Sequence, residues 1–189
     1  MSGDLGVGDR APDGTLVDVE GRTVALSSAW AERAALLVFL RYFGCPLCQA
    51  HVVALREDRQ RFDDVGANVV LVGQGGPEDG SRFRDRKHVP FPCWLDPERR
   101  LYRAFGLVSG SPVQALGLNA VLPMMRANLH RETRQRLLSG GNLMQMPGTF
   151  VVSADGVVRF AHRNRTIADS PPNRVLLDVL EGLRRTDPA

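Results

Sequence analysis

The sequence predicts an α/β fold, with a central mixed β-sheet flanked by helices. Three observations predict it. Two continuous apolar runs of strand length, residues 35–40 and 68–73, bracket a stretch of helical periodicity. Two further apolar runs flank Asp155 and Gly156, the dipeptide of a tight hairpin. A last stretch, residues 174–185, places Val175, Leu176, Val179, Leu180 and Leu183 on one helical side.

Taken in order, residues 8–14 are turn-rich, and residues 15–19 and 22–26 around Glu20 and Gly21 predict a β-hairpin. Ser27 and Ser28 are candidate caps of a short helix running to Arg33. The run 35–40 has no polar alternation, as expected of a central strand buried on both faces. A helix follows to Asp64, with Pro46 at its first position, where a missing N–H costs nothing. Cys45 is then its N-cap and Cys48 its third residue. With residues 68–73 as the next strand, this is a βαβ unit. Residues 77–87 predict a helix. Residues 91–95 predict a strand near a sheet edge, because Pro90 and Pro92 cannot donate to a ladder. Asp96 and Pro97 open a helix to Phe105. Residues 107–145 match no regular sheet element and predict a helical insert, with a turn at 109–112 and a helix near 122–138. The second hairpin and the closing helix complete one domain over residues 1–189.

Composition narrows the function classes. With 189 residues and 43% hydrophobic content, the chain can bury a core without disulfide staples. No apolar run reaches the length of a membrane span. The first ten residues carry no apolar core, so no secretory signal is visible and a cytoplasmic protein is expected. The formal charge is +3, and Lys87 is the only lysine. Arginines cluster at 82–86 and 126–136 but interleave with acids elsewhere, as on solvated helix faces. Aromatics are only 6% and do not alternate with arginines, so no nucleic-acid platform is expected.

Three cysteines, Cys45, Cys48 and Cys93, are too few and odd for a secreted disulfide framework. Two of them stand at Cys-x-x-Cys spacing where a buried strand meets a helix, the context of a redox dithiol. The helix dipole and the free N–H groups of the first turn stabilise a thiolate there. A thiolate attacks disulfide sulfur or peroxide oxygen, and a second thiol resolves the product. On geometry, Cys45 as N-cap is expected to be the more exposed, attacking thiol, with Cys48 covered and resolving. Cys93 reads as a core thiol or a second resolving group. Trp30, Trp94, His51 and His162 read as structural. A metal site is a weaker reading: Cys45, Cys48 and His51 lack a completing pair, and Gln49 rather than His follows Cys48, which excludes haem attachment. A non-catalytic binding module is the reading from another class.

Several segments resemble the thioredoxin-fold superfamily and, within it, AhpC/TSA-type peroxiredoxin-like proteins. They are residues 7–13; Glu20, Gly21 and Arg22 with Leu26 and Ser27; residues 37–48; residues 91–96 with 101–106; and residues 147–158. The resemblance spans most of the chain apart from the insert and implies a thioredoxin-like fold. It implies a peroxide or disulfide substrate, a thiol reductant such as a thioredoxin, no organic cofactor and a possible homodimer. It implies a cis peptide at Met146–Pro147, with Met146 and Pro147 contacting substrate opposite the dithiol. Peroxiredoxins usually carry Pro-x-x-x-Thr-x-x-Cys. Aligned so, Cys48 takes the peroxidatic position, Cys45 the threonine's and Arg41 the proline's. The family's late arginine is absent between Met144 and Gly148. Arg41, close to the helix start, is the candidate substitute for the lost donors. The resemblance thus favours Cys48 as nucleophile and the geometry Cys45.

Overall fold

The computed structural model describes residues 5–110 and 141–186. Among them are strands β1 (Thr15–Asp18), β2 (Thr23–Ala25), β3 (Ala35–Phe39), β4 (Asn68–Gly73), β5 (Cys93–Leu95), β6 (Gly148–Val152) and β7 (Val158–Arg163). The helices are α1 (Pro46–Glu57), α2 (Arg59–Asp64), α3 (Pro77–Lys87), α4 (Arg100–Ala104) and α5 (Asn173–Thr186). The strands form one sheet in the order β2-β1-β5-β4-β3-β6-β7. β3 pairs parallel with β4, and β4 with β5; the remaining pairings are antiparallel, so the sheet is mixed as expected.

β3 organises the molecule. All five of its residues are buried, and their alternation feeds two cores. Leu36 and Val38 join Val52 and Leu55 of α1, Phe62 of α2, Phe83 of α3 and Leu176, Leu177 and Leu180 of α5. Ala35, Leu37 and Phe39 face Trp30, Tyr102, Phe105 and Phe150 on the other side. Phe39 packs against Tyr102, Phe105 and Phe150 at ring separations of 5.1, 4.9 and 5.8 Å. The buried Tyr102 hydroxyl donates to the carbonyls of Leu40 (2.6 Å) and Val72 (2.9 Å), stitching the ends of β3 and β4 from below.

Four expectations change. The segment after Ser27 forms only a 3-10 turn, Leu26–Ala29, with no side-chain cap. The helix expected to reach Asp64 breaks at Asp58, where the Asn173 side chain donates to the Ala54 carbonyl and the Asp58 carboxylate. β5 lies inside the sheet between β1 and β4, because Pro90 and Pro92 precede it rather than interrupt it. Met146–Pro147 is trans; no peptide bond among the described residues is cis. Trans is the ground state of an X–Pro bond. Of the expected insert, residues 111–140 lie outside the described residues, and with them the whole second arginine cluster and the expected helix near 122–138. Its two ends, at Ser109 and Gln145, form an antiparallel bridge.

Gly73 ends β4 directly beneath the cysteine loop. A Cβ there would run into the Phe43 ring, which is held in a buried, tilted contact with Phe83. Gly73→Ala is therefore expected to cost about 1–3 kcal/mol of stability through overpacking, read by denaturant unfolding.

Candidate active site

β3 runs out at Leu40, whose N–H still bonds the Val72 carbonyl. The chain then turns through residues 41–44 into α1. Cys45 is the N-cap, with extended backbone, and Pro46 is the first helical residue, as the sequence predicts. The turn is pinned locally. The Cys45 N–H donates to Tyr42 O (3.1 Å), and the fully buried Gln49 side chain donates to Phe43 O (2.7 Å). Placing the site at the carboxyl ends of two parallel strands follows the rule for open α/β sheets.

The two sulfurs are brought together, and the structure describes the cysteines as free thiols. The expectation of an exposed Cys45 fails: Cys45 is 1% exposed and Cys48 6%. Burial of the preceding loop, Arg41 to Gly44, carries the N-cap inward with it. Burial alone would raise both thiol pKa values. Instead they separate. The Cys48 side chain hydrogen-bonds Cys45 sulfur, and this is the largest cause lowering the Cys45 pKa; the N–H groups of Cys48 and Leu47 and the Arg41 charge add to it. Cys48 is pushed well up, first by that same bond and then by burial and the Cys45 charge. The two shifts favour ionisation of Cys45 over Cys48. Cys48 sulfur also accepts from the Arg41 N–H at 3.4 Å.

Arg41 is 5% exposed. Its guanidinium donates to the Leu143 carbonyl, and its Nε is buried with no partner among the described residues. Met146 is buried against Leu47 and Ile167. Its N–H donates to Val108 O (3.2 Å), its carbonyl accepts from Gln145 Nε2 (3.1 Å), and the Pro147 carbonyl accepts from the Asn164 N–H (3.2 Å). Cys93 is buried on β5, and desolvation pushes its thiol to about 12, as for an inert core thiol. His162 is occupied by the Asp169 carbonyl at 2.5 Å. His51 lines a groove of about 470 Å³ between α1 and residues 167–174, but its Nε2 is buried with no partner among the described residues. Burial lowers its pKa to about 4. Among the described residues no three His, Cys, Asp or Glu side chains could hold a metal together. No helix there is long and apolar enough to cross a membrane.

The residues missed at the level of sequence are Gln49 and Gln74. Both are buried amides that bond backbone of the 41–44 loop. The available signal was position: Gln74 directly follows the central strand β4.

Similarity to known proteins agrees with this geometry. The model of the AhpC/TSA family matches residues 7–161. Peroxiredoxin-like 2C of Homo sapiens is 25% identical over 175 residues, covering 87% of this chain and 76% of that protein. Among solved structures, peroxidoxin BcpB of Mycobacterium tuberculosis superposes with a TM-score of 0.70 at 18% identity, over 95% of this chain and 99% of that one. A peroxiredoxin-like protein of Aquifex aeolicus gives 0.70 at 16% identity, over 96% and 90%.

Two outcomes follow from the protonation pattern. Alkylation of Cys45, followed by peptide mass mapping across pH, is expected to titrate below the free-thiol value of about 8.5, and Cys48→Ala moves that midpoint up by about one unit or more. His51 is neutral in the folded chain but protonates when unfolded. Its contribution to stability is complete above pH 6.5 and is lost as pH falls from 6.5 through about 4. The loss amounts to about 3 kcal/mol, and His51→Gln flattens it in urea melts taken at several pH values.

Proposed function

The chain belongs to the AhpC/TSA family, and from that premise we propose that it reduces hydroperoxides at the Cys45–Cys48 dithiol. One observation supports this reading over reduction of protein disulfides. Both sulfurs are almost wholly buried, Cys45 at 1% and Cys48 at 6% exposure. With the site closed, a small hydroperoxide can reach a thiolate through such a cover, whereas a disulfide carried on a folded protein reaches it only after the cover opens.

In this mechanism the Cys45 thiolate attacks the terminal peroxide oxygen. The O–O bond breaks, Cys45 becomes a sulfenic acid, and the leaving alkoxide or hydroxide takes a proton. Cys48 then attacks the Cys45 sulfur, forming the disulfide and expelling the sulfenic oxygen as water. In sum, two thiols and ROOH give a disulfide, ROH and water. An external thiol such as a thioredoxin returns the pair to the dithiol, and no organic cofactor enters. Negative charge develops on the leaving oxygen, so a buried, unpaired donor beside it lowers the barrier. Arg41 Nε is such a donor. It supplies what the Thr position, here Cys45, and the absent late arginine do not.

The test is consumption of hydrogen peroxide by the purified chain with dithiothreitol, beside reduction of an insulin disulfide. Peroxide turnover that is lost in both Cys45→Ser and Cys48→Ser is expected. Arg41→Met is expected to lower kcat/KM by about a hundredfold, the usual worth of one such donor. Insulin reduction without peroxide turnover would reverse the assignment.

A further inference from the structure

The segment 141–146 runs past the cysteine turn as a strap. On one side it is fixed to residues 107–110. The Gly110 N–H donates to Met144 O (2.7 Å), the Met146 N–H to Val108 O (3.2 Å), and the Asn142 side chain to Ser109 Oγ (2.9 Å). On the cysteine side, the hydrogen bonds among the described residues come from two side chains. Arg41 donates to Leu143 O, and Gln74 holds the Asn142 backbone at both ends.

Gln74 is 6% exposed, and its carboxamide is fully used. Its Oε1 accepts from the Asn142 N–H (2.9 Å), and its Nε2 donates to Asn142 O (3.0 Å) and to the Arg41 carbonyl. The N–H of that same Arg41 rests on Cys48 sulfur. One amide therefore joins the strap to the residue that touches the dithiol. The strap fits around it closely. Gly141 has φ +152°, and a Cβ there would stand 3.1 Å from Gln74 Cδ.

We propose that Gln74 is a positioning residue that holds the 141–146 strap closed over the dithiol, so that release of its carboxamide is the step that admits a bulky thiol reductant. The inference rests on the dithiol reading of the site. A reductant carried on a protein must reach a sulfur that is buried when the strap is closed. The opening must therefore break contacts on the cysteine side while those to residues 107–110 persist. Met146 leaves its apolar seat on Leu47 and Ile167 in the same movement. Local opening of this kind sets the reactivity of a buried group without global unfolding.

The test measures alkylation by N-ethylmaleimide, with peptide mass mapping of all three cysteines, in the wild-type chain, Gln74→Met and Gly141→Ala. Gln74→Met keeps the side-chain length but removes the three hydrogen bonds. Gly141→Ala presses on Gln74 from the strap side and leaves the sheet untouched. Cys93, buried on β5, reports global unfolding in the same sample. A rise of about tenfold in labelling of the Cys45–Cys48 pair is expected, the population shift that one or two buried hydrogen bonds control. Cys93 labelling stays at the wild-type rate. A selective rise in Gln74→Met supports the proposal, and a rise confined to Gly141→Ala overturns it, because backbone strain at φ +152° then accounts for the opening. No rise in either, or a rise shared by Cys93, overturns it. Hydrogen peroxide consumption by the wild-type chain is measured in parallel. Its absence removes the peroxidase reading while the labelling still reports on the strap.

Discussion

The site depends on the coupling of two buried cysteines, each of which shifts the pKa of the other. Both groups are buried, and burial by itself favours two neutral thiols. A single proton shared unequally between them lets one sulfur be ionised without an exposed charge. The coupling lowers one pKa and raises the other. Two like groups with pKa values pushed apart acquire different chemical roles. The rest of the molecule serves to keep the two cysteines together. β3 is buried on every residue, Phe43 is wedged over Gly73, and Gln49 anchors the loop to the helix it precedes.

What the sequence made legible was what local rules decide. The bounds of β4 and α3 match the expected segments, because an unbroken apolar run and a Pro-initiated, C-terminally basic helix are each self-sufficient signals. Cys45 as N-cap and Cys48 as third residue follow from Pro46 alone. What remained hidden was set by distant partners. α1 breaks at Asp58 because Asn173, 115 residues away, bonds there. β5 sits inside the sheet because β1 folds back onto it. Cys45 is covered by residues 41–44, and Gln74 and the Arg41 side chain tie that loop to residues 142 and 143, contacts between segments far apart in sequence.

The strap also explains why the chain surrounding Met146 and Pro147 differs from an open substrate-binding loop. The N–H and carbonyl of Met146 are engaged internally, and the Pro147 carbonyl is bonded by Asn164. With those backbone groups satisfied, the loop is a packing surface for Leu47. In the proposed peroxide reaction Arg41 is the buried cation at hand. Its guanidinium acts on both sulfurs through charge while its own peptide contacts Cys48 and Gln74.

A cysteine at position 45 has a kinetic consequence for the proposed dithiol cycle. Before oxidation, Cys48 keeps its proton chiefly because its side chain is bonded to an ionised Cys45 and feels that charge. Conversion of Cys45 to a neutral sulfenic acid removes both influences at once. What then remains is burial, opposed by the Arg41 N–H and the Arg41 charge, which favour the Cys48 thiolate. Cys48 thus becomes easier to ionise after the first step and not before it. A resolving thiol that is a weak nucleophile in the resting enzyme does not compete for the oxidant, and it is activated by the product it must attack. In the proposed cycle one side chain serves first as hydrogen-bond donor and then as nucleophile, and the change of role is driven by the loss of a single negative charge beside it.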